Sequence, residues 1–229
     1  MRSAVVRRLA HVDLPGRVKS RRKFLRYSPK GFHDQKYWNW ERGYKWAAHE
    51  RWAELLPKSK FGSLLADRSY SEIGSRALRT LSGTNLLFSF ENMALRDALK
   101  DERGAKVFAE ALFQFVYGGG RIEVRFNDWC AAIASLPKPQ SRVFTHPVTT
   151  VFGFIADPKR HIFVKPVVTK RAAAIYGFDL RYTPKPGWET YGSVLEFANI
   201  LARDLADLEP RDMIDIQSFV WVQGSDEYS

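Results

Sequence analysis

Residues 211–224, RDMIDIQSFVWVQG, are apolar nearly all round. At 3.6 residues per turn, Met213, Ile214, Ile216, Phe219, Val220, Trp221 and Val222 leave no broad polar face, and a helix that is hydrophobic on every side is a buried one. The stretch is therefore read as a helix central to the core, with Pro210 in its first turn, where a missing N–H costs nothing. Its two carboxylates read differently. Asp212, at the start beside Arg211, is accounted for by the helix dipole. Asp215 lies among Ile214, Ile216, Phe219 and Val220, so its charge must be paired or hydrogen-bonded. One reading makes it a structural ion pair or a cap for another helix. The other makes it an acid of raised pKa beside a cleft.

Working outward, the rest of the chain also reads as helix. An amphipathic helix is predicted from about Trp188 to Leu208, and VTKRAAAIYG before it ends at Gly177. Residues 121–136 place Ile122, Phe126, Trp129 and Ile133 at helical spacing. The triple glycine Gly118–Gly120 terminates AKVFAEALFQFVYGGG, since it lacks the Lys-Ser/Thr of a phosphate-cradling loop. Ser89 with Glu91, and Ser69 with Glu72, mark two further helix starts, the second as a capping box. Asp34 is the N-cap of DQKYWNWERGYKWAAHERWAELL, where Tyr37, Trp40, Tyr44, Ala48, Trp52 and Leu55 share one face and Trp46 falls opposite. Residues 146–166, HPVTTVFGFIADPKRHIFVKP, fit either a hairpin about Asp157-Pro158 or a buried helix started by Pro147. Residues 1–33, broken by Pro15, Gly16, Pro29 and Gly31, show no sustained period. The predicted architecture is mainly α: a compact multi-helix domain over 34–229, a basic, partly extended arm over 1–33, and at most a small β-hairpin.

Charge is divided unevenly along the 229 residues. Residues 1–60 hold 16 Lys/Arg against 5 Asp/Glu, whereas residues 61–229 hold 20 of each, so the excess of +11 belongs to the first quarter. That quarter also carries four of the seven Trp. A basic, aromatic-rich segment on a neutral body points to a polyanionic partner. Arg21, Arg22, Lys23, Arg26, Lys30, Lys36, Arg42 and Lys45 are the candidate phosphate contacts, and Trp38 and Trp46, off the apolar stripe, the candidate base-stacking residues. DNA or RNA is the expected partner, with an acidic protein as the alternative.

Four blocks, SPKGFHDQKYWNWERGYKWAAHERW (28–52), TNLLFSFENMALRDALKD (84–101), RHIFVKPVVTKRAAAIYGFDLRY (160–182) and RDMIDIQSFVWVQGSDEY (211–228), together resemble a family of uncharacterised bacterial proteins. The resemblance runs over most of residues 20–228 and brings no catalytic residues with it. The last two blocks are also similar, in their pattern of apolar positions, to a helical module of bacterial proteins near restriction and DNA-repair functions. That likeness implies nucleic acid.

Other chemistry leaves fainter marks. His161 and Lys165 in RHIFVKP, four apart on one side of a strand, form a base-and-cation pair, and with Asp215 they make up the site of an alternative nucleic-acid-processing hydrolase. The structural alternative for the pair is a turn histidine capping a backbone carbonyl and a snorkelling surface lysine. The five histidines are scattered and Cys130 is the lone cysteine, so no zinc site or cofactor motif is read, although carboxylates for a magnesium ion need no motif. Cys130, beside Trp129 on a helix, reads as a buried apolar residue in a reducing compartment. No apolar run approaches a membrane span, and the Arg-rich start lacks a secretory core. A cleaved mitochondrial-type presequence is the rival to a cytoplasmic location.

Overall fold

Two buried helices organise the molecule, and residues 211–224 supply one of them. A computed structural model describes residues 15–137 and 143–228, and among these every regular element is helical. The first half comprises α1 (Pro15–Tyr27), the single turn α2 (Gln35–Tyr37), a π-helical turn (Trp38–Arg42), α3 (Gly43–Leu55), α4 (Lys58–Ala66) and α5 (Tyr70–Thr80). There follow α6 (Ser89–Ala98), α7 (Glu102–Tyr117), α8 (Ile122–Ser135), α9 (His146–Ala156), α10 (Pro166–Tyr176), α11 (Trp188–Asp204) and α12 (Met213–Gly224). None is long and apolar enough to cross a membrane.

In α12 only Met213 and Trp221 escape full burial. The helix starts after Pro210, because the Asp212 carboxylate caps it, accepting from the N–H of Ile214 at 2.9 Å and of Asp215 at 3.4 Å. A side-chain acceptor at the cap satisfies donors that a proline in the first turn merely avoids presenting. The other interior helix is α9, buried from His146 through Ile155. It settles residues 146–166 as helix rather than hairpin: Thr145 caps it, accepting from Val148, and Pro147 occupies its first turn. Residues 161–165 then run buried and, among the described residues, without regular secondary structure. Hydroxyls take their backbone donors instead, the Ile162 N–H bonding Tyr191 Oη and the Val164 N–H bonding Thr150 Oγ1.

Around α9 pack α3, α7 and α8, and around α12 pack α1, α10 and α11. The first cluster is aromatic, with Trp129 stacked on Phe115 (5.8 Å between centroids) and meeting the edges of Phe108 and Phe152. Each such buried ring contributes on the order of 1.5–3 kcal/mol. In the second cluster α10 and α12 approach so closely that a Cβ on Gly224 would collide with the Val168 carbonyl. Gly177 ends α10 in the left-handed region at φ 78°, as glycine best does. Cys130, on α8, is buried, its thiol pushed up to about 12 by burial, which makes it a packing residue.

Three local expectations change. Residues 15–27 are helix, not extended arm: Pro15 stands in the first turn, where proline is tolerated, and Phe24 and Ser20 face the body, so the boundary at 33/34 cuts through packed structure. The arm's residues 1–14 lie outside the described residues. Ser69 makes no capping bond, and Glu72 instead pairs with Arg76 at 2.6 Å. Trp40, assigned to the buried stripe, is exposed. The π-helical turn explains why: it inserts an extra residue into the turn, so the inward face passes from Tyr37 to Glu41 and Arg42 and then through Lys45, Ala48, Trp52 and Leu55.

Candidate nucleic-acid interface

Helix α1 arranges its charges by position. Ser20 and Phe24 point inward. Arg17 and Arg21, one turn apart, reach the end of α11 and the turn after it, where Arg17 Nη1 bonds Asp204 at 2.8 Å and Arg21 grips Asp207 with both guanidinium nitrogens. Lys19, Arg22, Lys23 and Arg26 stand at i, i+3, i+4 and i+7, a spacing that puts all four on one face. None of the four pairs with a carboxylate among the described residues. Burial, reinforced by the charges of Arg26 and Lys19, holds the Lys23 ammonium below the usual lysine range. The stripe repels itself, and an anion laid along it relieves that repulsion.

The face continues past the helix. Arg26 lies over the Tyr27 ring (4.9 Å) and bonds its hydroxyl, and Lys36 sits between the Tyr27 ring (5.8 Å) and the Trp40 ring (4.5 Å). Trp40 is 57% exposed, and Trp38 and Lys30 are also exposed. The carboxylate here, Asp34, is engaged by the backbone: it accepts from the N–H of Lys30 and Lys36, which keeps its pKa low. Among the described residues, the basic stripe of α1 thus continues over the Tyr27 ring to Lys36 and Trp40, beside the backbone-bound Asp34.

Other proposed contacts lie elsewhere. Arg42 is only 3% exposed, with Nη1 and Nη2 at 2.8 and 2.7 Å from Asp212 and Nη1 also 2.8 Å from Asp215. Burial alone would lower its pKa, but the two carboxylates outweigh burial and lift it. Lys45 is buried too, bonding Glu41 at 3.0 Å and Ser218 at 2.8 Å. Neither can meet a phosphate, because the π-helical turn rotates both toward α12. Arg21 is committed to Asp207. Trp46 is half-buried, its indole N–H on Glu50 and its ring beside Arg42 and His49, so Trp40 takes the place the sequence assigned to it.

The hydrolase triad does not assemble. His161 is buried against Phe115, its Nδ1 at 3.0 Å from Tyr191 Oη; burial, little offset by Asp157, lowers its pKa to about 4. The Tyr191 oxygen also accepts from the Ile162 N–H, and burial disfavours the charged form of the His161 ring beside it. Asp215 has zero exposure and accepts from Tyr37 (2.5 Å), Arg42 and Arg211. Burial pushes its pKa up, but these donors outweigh that and keep it ionised below the usual carboxylate range, the structural reading of the two. Lys165 rests over Phe88, and among the described residues these three share no partner.

Lys19 and Trp40 lie on the basic face although the sequence did not single them out as candidate contacts. Lys19 would have followed from treating residues 15–27 as helical; no signal in the sequence announces the π-helical turn. No protein-family model, curated protein or solved structure matches this chain.

Proposed function

We propose that this face binds the phosphate backbone of DNA or RNA, with Trp40 and Trp38 as platforms for unpaired bases. The observation that carries the reading is the stripe Lys19-Arg22-Lys23-Arg26, continued by Lys30 and Lys36, without carboxylate partners among the described residues. Along the helix axis Lys19 and Arg26 are about 10 Å apart, roughly three nucleotide steps of a strand at 3.4 Å each. Contacts of this kind position a protein without reading sequence, and an exposed indole adds on the order of 1–3 kcal/mol per stacked base. Binding is therefore tolerant of sequence and favours unpaired over paired strands.

The test is fluorescence anisotropy with labelled single-stranded DNA of two unrelated sequences, their duplexes and the matching RNA. Replacing Lys19, Arg22, Lys23 and Arg26 together by Ala is expected to weaken every interaction by a similar factor, at least tenfold. Trp40→Ala is expected to weaken only the single strands. Parent-like binding by the quadruple variant, or failure of the parent to bind any of these nucleic acids while binding a poly-glutamate chain, would reject the proposal.

A further inference from the structure

A second group of cations faces a groove where α5 meets the end of α6. Ser71, Ser75 and Arg79 stand four apart on one face of α5, with Ser82 in the turn after it, and Arg96 and Lys100 close the other side. Gly74, Leu78 and Leu99 make an apolar floor, and the groove holds about 360 Å³. Gly74 leaves room for Leu99, since a Cβ there would stand only 3.2 Å from Leu99 Cδ1. None of the described lining residues is acidic, and none belongs to the basic stripe. The two surfaces rest on different supports: α5 packs on α3, α4 and α7, whereas α1 packs on α10 and α12.

The cations next to the groove are engaged, but two of those lining it are not. Arg76, on the adjoining face of α5, bonds Glu72 at 2.6 Å and the Leu55 carbonyl at 3.2 Å. Lys100 holds Asp97 at 2.7 Å. Arg79 lies in the last turn of α5, where an arginine ordinarily serves the terminal carbonyls. Arg51 serves them instead, bonding the carbonyls of Thr80 at 3.2 Å and Ser82 at 2.6 Å. Arg79 and Arg96 are therefore left with no hydrogen bond or ion pair among the described residues. The hydroxyls of Ser71, Ser75 and Ser82 are equally unbonded there, whereas Ser63 and Ser135 bond back to their own helices. A groove lined by one sign of charge concentrates the opposite sign.

We infer that the groove binds a phosphate monoester, its phosphoryl oxygens on Arg79, Arg96 and the serine hydroxyls and its organic part on Leu78 and Leu99. A guanidinium takes two oxygens at once in parallel charge-assisted bonds, and the hydroxyls donate to the third. A monoester offers three terminal oxygens and a charge of about −1.5 to −2 at neutral pH, where a diester offers two oxygens and one charge. The site thus selects a terminal phosphate, in contrast to the backbone phosphates assigned to α1. Its volume lies within the range of small-molecule sites, about 300–1,000 Å³. A free mononucleotide and the 5′-phosphorylated end of a strand present the same group.

The inference is tested by ¹H–¹⁵N NMR titration of the full chain with adenosine 5′-monophosphate, following the Arg79 and Arg96 Nε–H signals and the Gly74 amide. Adenosine, which lacks the phosphate, and adenosine 3′,5′-cyclic monophosphate, a diester, are the controls. Shifts of these three signals with the monophosphate are expected, with both controls weaker by about tenfold or more. Arg79→Gln and Arg96→Gln, which break no contact in the fold, are each expected to lose about tenfold or more at an unchanged melting temperature. The variant with Lys19, Arg22, Lys23 and Arg26 changed to Ala should bind the monophosphate as the parent does, so failure of the nucleic-acid proposal leaves this result intact. In that variant, a 5′-phosphorylated trinucleotide that binds tighter than the mononucleotide assigns the groove to strand ends, and equal or weaker binding assigns it to free monoesters. No shift at millimolar monophosphate, equal binding of adenosine, parent-like affinity in Arg79→Gln and Arg96→Gln, or loss of binding in the α1 variant overturns the inference.

Discussion

Replacing Asp215 by Asn probes the junction that ties α12 to the first quarter of the chain. Asp215 accepts five hydrogen bonds: Tyr37 Oη at 2.5 Å, Arg42 Nη1 at 2.8 Å, and the Arg211 backbone N–H, Nε and Nη2 at 2.8, 2.9 and 3.1 Å. Asparagine retains one acceptor oxygen, aims an N–H₂ at donors and removes the charge. Losing one partner of a buried ion pair costs about 3–5 kcal/mol. Two features set the expectation at the lower end. Arg42 keeps its two-pronged grip on Asp212, and Arg211, whose side chain is about a third exposed, can turn to water. A loss of about 3 kcal/mol is a large part of the 5–15 kcal/mol typical of a domain. Urea unfolding followed by tryptophan fluorescence should show a lower midpoint with an unchanged slope. Tyr37→Phe should cost about 1 kcal/mol alone and less in the Asp215→Asn background, since both act on one network. A loss below about 1 kcal/mol for Asp215→Asn would mean that the five bonds do not stabilise the fold, and the structural role given to Asp215 would fail.

The π-helical turn makes opposite demands on two tryptophans. Trp52→Ala should cost about 3–5 kcal/mol, since Trp52 is fully buried and its indole N–H bonds Tyr117 Oη, whereas Trp40→Ala should change stability by less than about 1 kcal/mol. Comparable losses from the two in urea melts would put the helix phase in error. His161 sets a pH limb: its pKa is about 4 when folded and about 6.5 when unfolded, so the unfolded chain takes up the proton first. Stability is fully present above about pH 6.5 and falls by about 3 kcal/mol as pH drops to about 4, so the parent should lose more over that range than His161→Gln. Equal losses in parent and variant, measured as urea midpoints at several pH values, would contradict the buried, neutral imidazole.

The helices were legible where burial left a period. Residues 211–224 reveal their place because an apolar surround has only one environment, and Asp215 reveals its need for partners by the same logic. Gly118 and Gly177 mark helix ends as backbone chemistry requires. What stayed hidden depends on distant residues or on backbone register. Arg42 and Lys45 look like surface cations because the groups that neutralise or bond them include Asp212, Asp215 and Ser218, some 170 positions away. The π-helical turn shifts every residue before it relative to those after, which moves Trp40 outward and Arg42 inward. Helix α1 was obscured by reading Pro15 and Gly16 as breakers, although proline suits a first turn and Gly16 lies where a Cβ would strike the Ile175 carbonyl. The basic face was half legible: its charge is a property of composition, but its membership depends on which cations find carboxylates.

The most direct test of the central claim is the salt dependence of binding to a single-stranded oligonucleotide, for the parent and for the variant with Lys19, Arg22, Lys23 and Arg26 all changed to Ala. Each phosphate contact adds about 0.7 to the slope of log affinity against log salt on a single strand. If all four cations meet phosphates, the variant's slope should be shallower by about 3, with its melting temperature close to that of the parent. Parallel slopes in a folded variant would contradict the claim, because the stripe on α1 would then touch no phosphate.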